Sequence, residues 1–129
     1  MNVLLDTHAF LWFIQNDSQL STHARSVIED MYNEVFFRVV SCWELAIKYK
    51  IGKLSLTEPF EILVPREIKN NDFRLLDIRY EHTERTVFLD MHHKDPFDRL
   101  LIAQALVENM PFISNESLLD QYVGLNRLW

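Results

Sequence analysis

Apolar residues follow two alternating rhythms along this chain. Short, nearly continuous runs read as buried strands: Asn2 to Leu5, Glu34 to Val40, Phe73 to Ile78 and Pro111 to Ser114, with Leu125 to Trp129 as a candidate edge strand. Between them the spacing turns helical. Ala9 to Ile14 is rich in aromatic and aliphatic residues. Ser21 opens a helix from Thr22 to about Tyr32, with Ala24, Val27, Ile28 and Met31 on one face. A third helix is expected from Cys42 to about Lys50, ended by Gly52. Thr57 to Asn71 also reads as helical, split in two by Pro65. Glu81 to Met91 is amphipathic, and a last long helix runs from Asp95 to about Asn109. Asn115-Glu116 then leads into a helix through Tyr122. Strand alternating with helix favours an α/β sandwich with a parallel sheet and right-handed crossovers.

Composition narrows this picture. The chain's 129 residues suffice for one domain, 1–129, and one core, and 48% of them are hydrophobic. Two glycines and four prolines leave little room for long loops, and no repeat or linker is visible. One cysteine cannot form an internal disulfide, which fits a reducing compartment. No basic-then-apolar leader opens the chain, and no apolar run reaches the roughly 18 residues of a membrane span. A soluble, cytoplasmic protein is expected. The net charge of −6 argues against a broad nucleic-acid footprint, unless acids gather around divalent cations and reverse the local field.

Four acids stand where a strand-like run passes into a helix: Asp6, Glu44, Asp98 and Glu116. Each has a plain structural explanation. Asp6 is placed to cap the helix that follows, as Asp95 is before Pro96. Ser41-Cys42-Trp43-Glu44 has the spacing of a capping box, and Lys48 stands four residues beyond Glu44, the favoured order for a helical ion pair. Asp98, at the third helical position, and Glu116, in a first turn, suit the positive end of a helix. These explanations treat the acids singly and leave their recurrence unexplained. In parallel sheets, ligands bind beyond the carboxyl ends of the strands. Carboxylates gathered there would repel and raise one another's pKa, a cost that a hard cation such as Mg²⁺ or Mn²⁺ removes.

The remaining chemistry is sparser. Arg38 interrupts an apolar strand, and a buried guanidinium needs a carboxylate partner. His92-His93 reads as part of a solvated loop, because adjacent side chains point apart. Cys42 is expected as a small buried apolar residue, and Trp12, Trp43 and the nine phenylalanines as core. Lys48, Lys50 and Lys53 make a local basic patch able to touch phosphates. No glycine-rich phosphate loop, zinc spacing or nucleophile elbow is present.

Leu4-Leu5-Asp6-Thr7-His8-Ala9-Phe10-Leu11-Trp12, Ser41-Cys42-Trp43-Glu44-Leu45-Ala46-Ile47-Lys48, Asp95-Pro96-Phe97-Asp98-Arg99-Leu100-Leu101-Ile102-Ala103-Gln104-Ala105 and Phe112-Ile113-Ser114-Asn115-Glu116 follow one another in an order and spacing that resembles PIN-domain ribonucleases, in particular the VapC toxins of bacterial toxin–antitoxin pairs. The resemblance spans nearly the whole chain. It implies a three-layer α/β/α sandwich with a central, mainly parallel sheet. It also implies a Mg²⁺- or Mn²⁺-dependent endoribonuclease that cleaves RNA phosphodiesters by metal-activated water. It places Asp6, Glu44 and Asp98 in the metal-binding core, and puts Glu116 where the family most often has Asp. Asp95, Thr7 and Asn115 follow as assisting groups. A homodimer and a small antitoxin that covers the acidic site are implied as well. Arg38 departs from the small residues of the family pattern.

Other readings lead to different expectations. A receiver domain should carry adjacent acids after its first strand and a lysine after its last, but Thr7 follows Asp6 and Ser114-Asn115 stands where the lysine should be. A haloacid-dehalogenase-type phosphatase wants Asp-x-Asp, but His8 occupies the second position. A non-catalytic PIN-like module that only binds a partner would lack metal-dependent RNA cleavage.

Overall fold

Each apolar run forms a strand, and every strand is parallel to its neighbours in the computed structural model, which describes residues 1–129. The strands are β1 (Asn2–Leu5), β2 (Glu34–Arg38), β3 (Arg74–Leu76), β4 (Phe112–Ile113) and β5 (Arg127–Leu128). They lie in the order β3-β2-β1-β4-β5, which puts β1 at the centre and the C-terminal strand at an edge. Six helices connect and cover them: α1 (Thr7–Ile14), α2 (Thr22–Glu29), α3 (Val39–Lys50), α4 (Phe60–Asn70), α5 (Tyr80–Val87) and α6 (Pro96–Glu108), with a short 3-10 helix at Ser117–Gln121.

The central strands are apolar on both faces because both faces are covered. Val3 and Leu5 of β1, Val35 and Phe37 of β2 and Ile113 of β4 point into one core with Phe10 of α1, Ile28 of α2 and Val64 of α4. Leu4 and Phe112 point the other way, into a second core with Leu101, Ile102 and Ala105 of α6. The period-2 alternation of strand side chains thus feeds two helical layers, giving the α/β/α sandwich. Phe10 stacks on Phe37 with ring centroids 3.9 Å apart, fastening α1 to the sheet. No helix is long and apolar enough to cross a membrane.

The structure departs from the expected elements at several points. β2 stops at Arg38, and Val39 already belongs to α3. Ser41 therefore lies inside the helix, and the expected capping box does not form. Pro65 does not split its helix: α4 runs through it. The lost hydrogen bond would have run to the Glu61 carbonyl, and both residues lie on the exposed face, where water can satisfy that oxygen. α2 ends at Glu29 and α5 at Val87, each earlier than expected. Trp43 and Phe88 are not core: they are 62% and 74% exposed.

Candidate active site

The chain reverses its direction of travel across the sheet at β1, with β2 and β3 to one side and β4 and β5 to the other. A crevice opens at the carboxyl ends of strands at such a switch point. Asp6 follows β1 there, its backbone N–H extending the ladder to the Ile113 carbonyl of β4 at 3.1 Å. Its side chain caps α1, accepting from the Ala9 N–H at 2.6 Å. Burial raises the Asp6 pKa, while the Ala9 N–H, the Ser114 hydroxyl and the charges of His8 and Arg38 pull it back.

Thr7, the first residue of α1, is buried and faces α3. Its hydroxyl lies 2.5 Å from Glu44 Oε1 and 3.1 Å from Ser41 Oγ. A hydroxyl has one proton, and the carboxylate is the stronger acceptor, so Thr7 donates to Glu44 and Ser41 donates to Thr7. Ser41 in turn accepts from Arg38 Nε at 3.0 Å. A relay of aligned donors thus runs from the guanidinium through two hydroxyls to Glu44. Lys48 Nζ sits 3.2 Å from the other Glu44 oxygen, as the four-residue spacing predicts.

The relay explains Arg38, though not through the carboxylate partner expected of it. The residue is 1% exposed. Its other contacts are neutral oxygens: the Phe97 carbonyl in the first turn of α6 at 3.0 Å and Gln104 Oε1 at 3.5 Å. Its charge is compensated at longer range by Glu44, Asp98, Asp6 and Asp95. Burial lowers its pKa to about 10, so it remains a cation at neutral pH.

Asp95 caps α6, its Oδ1 accepting from the Phe97 and Asp98 N–H groups at 2.8 and 3.2 Å. Asp98, one turn inside, has its pKa raised to about 6. Burial is the largest cause, and repulsion from Asp95, Glu116 and Glu44 adds to it, while His93 opposes it. Glu116 follows β4 through Ser114, whose Oγ accepts the Glu116 N–H at 3.1 Å. The four acids thus come from four separate stretches of chain. Asp98 and Glu116 share one cluster with His93, and Glu44 is near enough to raise the Asp98 pKa. Asp6 lies outside that cluster and is linked to the other acids through the charge of Arg38. Asn115 does not join them: its side chain is exposed and hydrogen-bonds to none of them.

The structure adds residues that the sequence pattern did not assign to the site. Ser114 is fully buried between Asp6 and the Glu116 backbone. His93 is not part of a solvated loop. Its Nε2 lies 2.7 Å from Glu116 Oε1 and 3.2 Å from Asp98 Oδ2. One ligand-type atom from each of His93, Asp98 and Glu116 falls within 4.8 Å of the others. The only sequence hint was the nearness of a histidine to the Asp95-Pro96 helix start.

The donor set is chemically suited to a hard divalent cation: carboxylate oxygens dominate, and the mutual repulsion that raises the Asp98 pKa is what such an ion would relieve. No lysine or arginine pairs with Asp98, which meets only His93, whereas Glu44 is paired with Lys48.

The comparisons with known proteins bear on the family and the fold. A family model described as PIN domain matches residues 3–125. Ribonuclease VapC16 of Mycobacterium tuberculosis is 32% identical over 59 residues, which are 46% of this chain and 42% of that protein. The aligned part thus spans less than half of the curated relative. Among solved structures, VapBC2 from Rickettsia felis, bound to a DNA fragment from its promoter, has a TM-score of 0.75 at 15% identity, covering 100% of this chain and 99% of that one. The DNA-bound VapBC of Salmonella typhimurium gives 0.72 at 14% identity, with coverage of 99% and 97%. At such identities the likeness is one of fold.

Proposed function

We propose, from the premise that this chain belongs to the PIN domain family, that it is a metal-dependent endoribonuclease and the toxin of a toxin–antitoxin pair, working in the cytoplasm. The observation that carries the reading is the gathering of Asp98 and Glu116 around His93, with Asp98 held at a pKa of about 6 by burial and by the charges of Asp95, Glu116 and Glu44; Asp6, at the end of the neighbouring central strand, supports it by position. Such an arrangement is costly in an empty fold and useful in a cation site.

In this reading Asp6, Glu44, Asp98 and Glu116 would hold Mg²⁺ or Mn²⁺. When bound, an ion of that kind lowers the pKa of water and offsets charge on a phosphoryl group during in-line attack. The chain's own residues prepare the place. Thr7 holds Glu44 in one rotamer. Asp95 fixes the first turn of α6 and so the direction in which Asp98 projects. Arg38, buried behind the acids, moderates their repulsion without closing an ion pair that would compete with substrate. No side chain acts as nucleophile.

The substrate is RNA, and the partner is a small antitoxin that covers the acidic pocket. The relatives of similar fold are VapBC complexes, which is what supports a partner of that kind. A homodimer belongs to the same proposal.

The test is cleavage of a mixed RNA substrate with Mn²⁺ supplied. Activity should appear with the metal, vanish with a chelator, and fall at least about 100-fold in Asp6→Asn and Asp98→Asn. Both variants should fold, since Asn is also a good helix N-cap at position 6. Cleavage at wild-type rates by both would overturn the assignment. Absence of Mn²⁺-dependent cleavage in the wild type would favour a module that only binds a partner.

A further inference from the structure

His93 and Glu116 form a contact that the proposed cation site does not by itself require. The His93 backbone is held on both sides: its N–H donates to Tyr122 Oη at 2.8 Å, and its carbonyl accepts from Arg99 Nη1 at 3.0 Å. The ring is held as well. Its side chain is 14% exposed, and Nδ1 accepts the Asp95 N–H at 3.3 Å. With Nδ1 acting as acceptor, the neutral ring carries its proton on Nε2. That nitrogen faces Glu116 Oε1 at 2.7 Å and Asp98 Oδ2 at 3.2 Å. The neighbouring His92 is used differently, its ring packed edge-on against Tyr122 at 5.1 Å.

Glu116 is the acid with most need of such a contact. Its side chain is 40% exposed and has three rotatable bonds, so nothing else prevents it from swinging into solvent, away from the like charge of Asp98.

We propose that His93 is a positioning residue: its Nε2–H clamps Glu116 beside Asp98 and so presents both carboxylates to one cation. The inference rests on the reading of the acid pocket as a divalent-cation site. A hydrogen bond from a fixed ring to a ligand's oxygen orients that ligand before the ion arrives. His93 is then a donor to the ligands and not a ligand itself, because the Asp95 N–H already occupies Nδ1 and favours the tautomer whose Nε2 is protonated.

The experiment is calorimetric titration of the full chain with Mn²⁺, with folding of each variant checked by circular dichroism. His93→Ala should weaken Mn²⁺ binding about 10- to 100-fold. His93→Gln, whose side-chain N–H reaches a similar position, should recover most of that loss. In a Glu116→Ala background, the further loss from His93→Ala should shrink several-fold, because the group being clamped is gone. His92→Ala should bind as the wild type does.

Three results would overturn the clamp. Unchanged binding in His93→Ala would show that Glu116 needs no help. A Gln variant as weak as the Ala variant would make His93 a nitrogen ligand. A full His93→Ala effect in the Glu116→Ala background would make its role independent of Glu116. If the wild type takes up no Mn²⁺, the cation-site reading itself fails, and the clamp fails with it.

Discussion

Two of the helices that begin at the carboxyl edge of the sheet, α1 and α6, are capped by an aspartate. At α1 the cap and the proposed metal ligand are the same side chain: Asp6 accepts the Ala9 N–H through Oδ1 and is also hydrogen-bonded by the Ser114 hydroxyl. At α6 the two tasks are divided. Asp95 takes the N–H groups of Phe97 and Asp98, and Asp98 projects its carboxylate without a backbone donor of its own. The consequence is electrostatic. At α1 the cap draws Asp6 back toward its ordinary pKa. At α6 the cap's own charge pushes Asp98 further up, to about 6. A helix start can thus relieve a buried carboxylate or add to its burden, according to which residue does the capping.

Arg38 links the two starts, and breaking that link should have the largest effect on the fold. It donates directly to the first turn of α6 through Phe97, and reaches the first residue of α1 through Ser41. Replacing it by Met keeps the volume but leaves the Phe97 carbonyl, Gln104 and Ser41 without their donor and the acids without their buried countercharge. A loss of about 3 kcal/mol in unfolding free energy is expected, read by urea denaturation. A variant as stable as the wild type would mean that the guanidinium is dispensable and the two starts are independent.

How far this arrangement could be read from the sequence depended on how local each cause was. The junction positions of Asp6, Glu44, Asp98 and Glu116 are legible because strand, junction and helix all lie within a few residues of each acid. The Glu44–Lys48 pair was visible for the same reason. Arg38 stands out as anomalous, but two of its three acceptors lie 59 and 66 residues away, at Phe97 and Gln104. His93 reads as solvated from the sequence because the loop that carries it is shaped by Tyr122 and Arg99 from outside. The Ser41 capping box failed on a matter of register: α3 starts at Val39, so Ser41 is already helical and its hydroxyl is free for Thr7. Trp43 follows from the same shift in register, its ring left outside against Phe97 at 5.8 Å.

The contrast between capped and uncapped acid has a pH signature. The Asp98 pKa is raised in the fold to about 6 from an ordinary 3.8. The folded state therefore binds more protons than the unfolded state between those values. The Asp98 contribution to stability is fully present below pH 3.8 and is lost as pH rises through about 6. With a side chain 32% exposed, solvent screening reduces the effect to roughly 1 kcal/mol, a few degrees in Tm. Metal-free wild type should lose stability relative to Asp98→Asn between pH 4.5 and 7. Parallel pH profiles for the two proteins would show that Asp98 titrates normally.

The smallest effect separates the two roles of Asp95. Asp95→Ala removes the acceptor for two N–H groups and should cost about 1 kcal/mol. Asp95→Asn keeps a capping oxygen at the same place and should cost a few tenths at most. Both remove a negative charge beside Asp98, so both should lower its pKa, which carboxyl carbon NMR of the metal-free protein can follow. Stability and titration are therefore expected to part company: Asn resembles wild type in the first and Ala in the second. If both variants lower stability equally, Asp95 acts through charge alone. If neither moves the Asp98 titration, burial alone accounts for its pKa, and the electrical half of the contrast between α1 and α6 falls while the capping half stands.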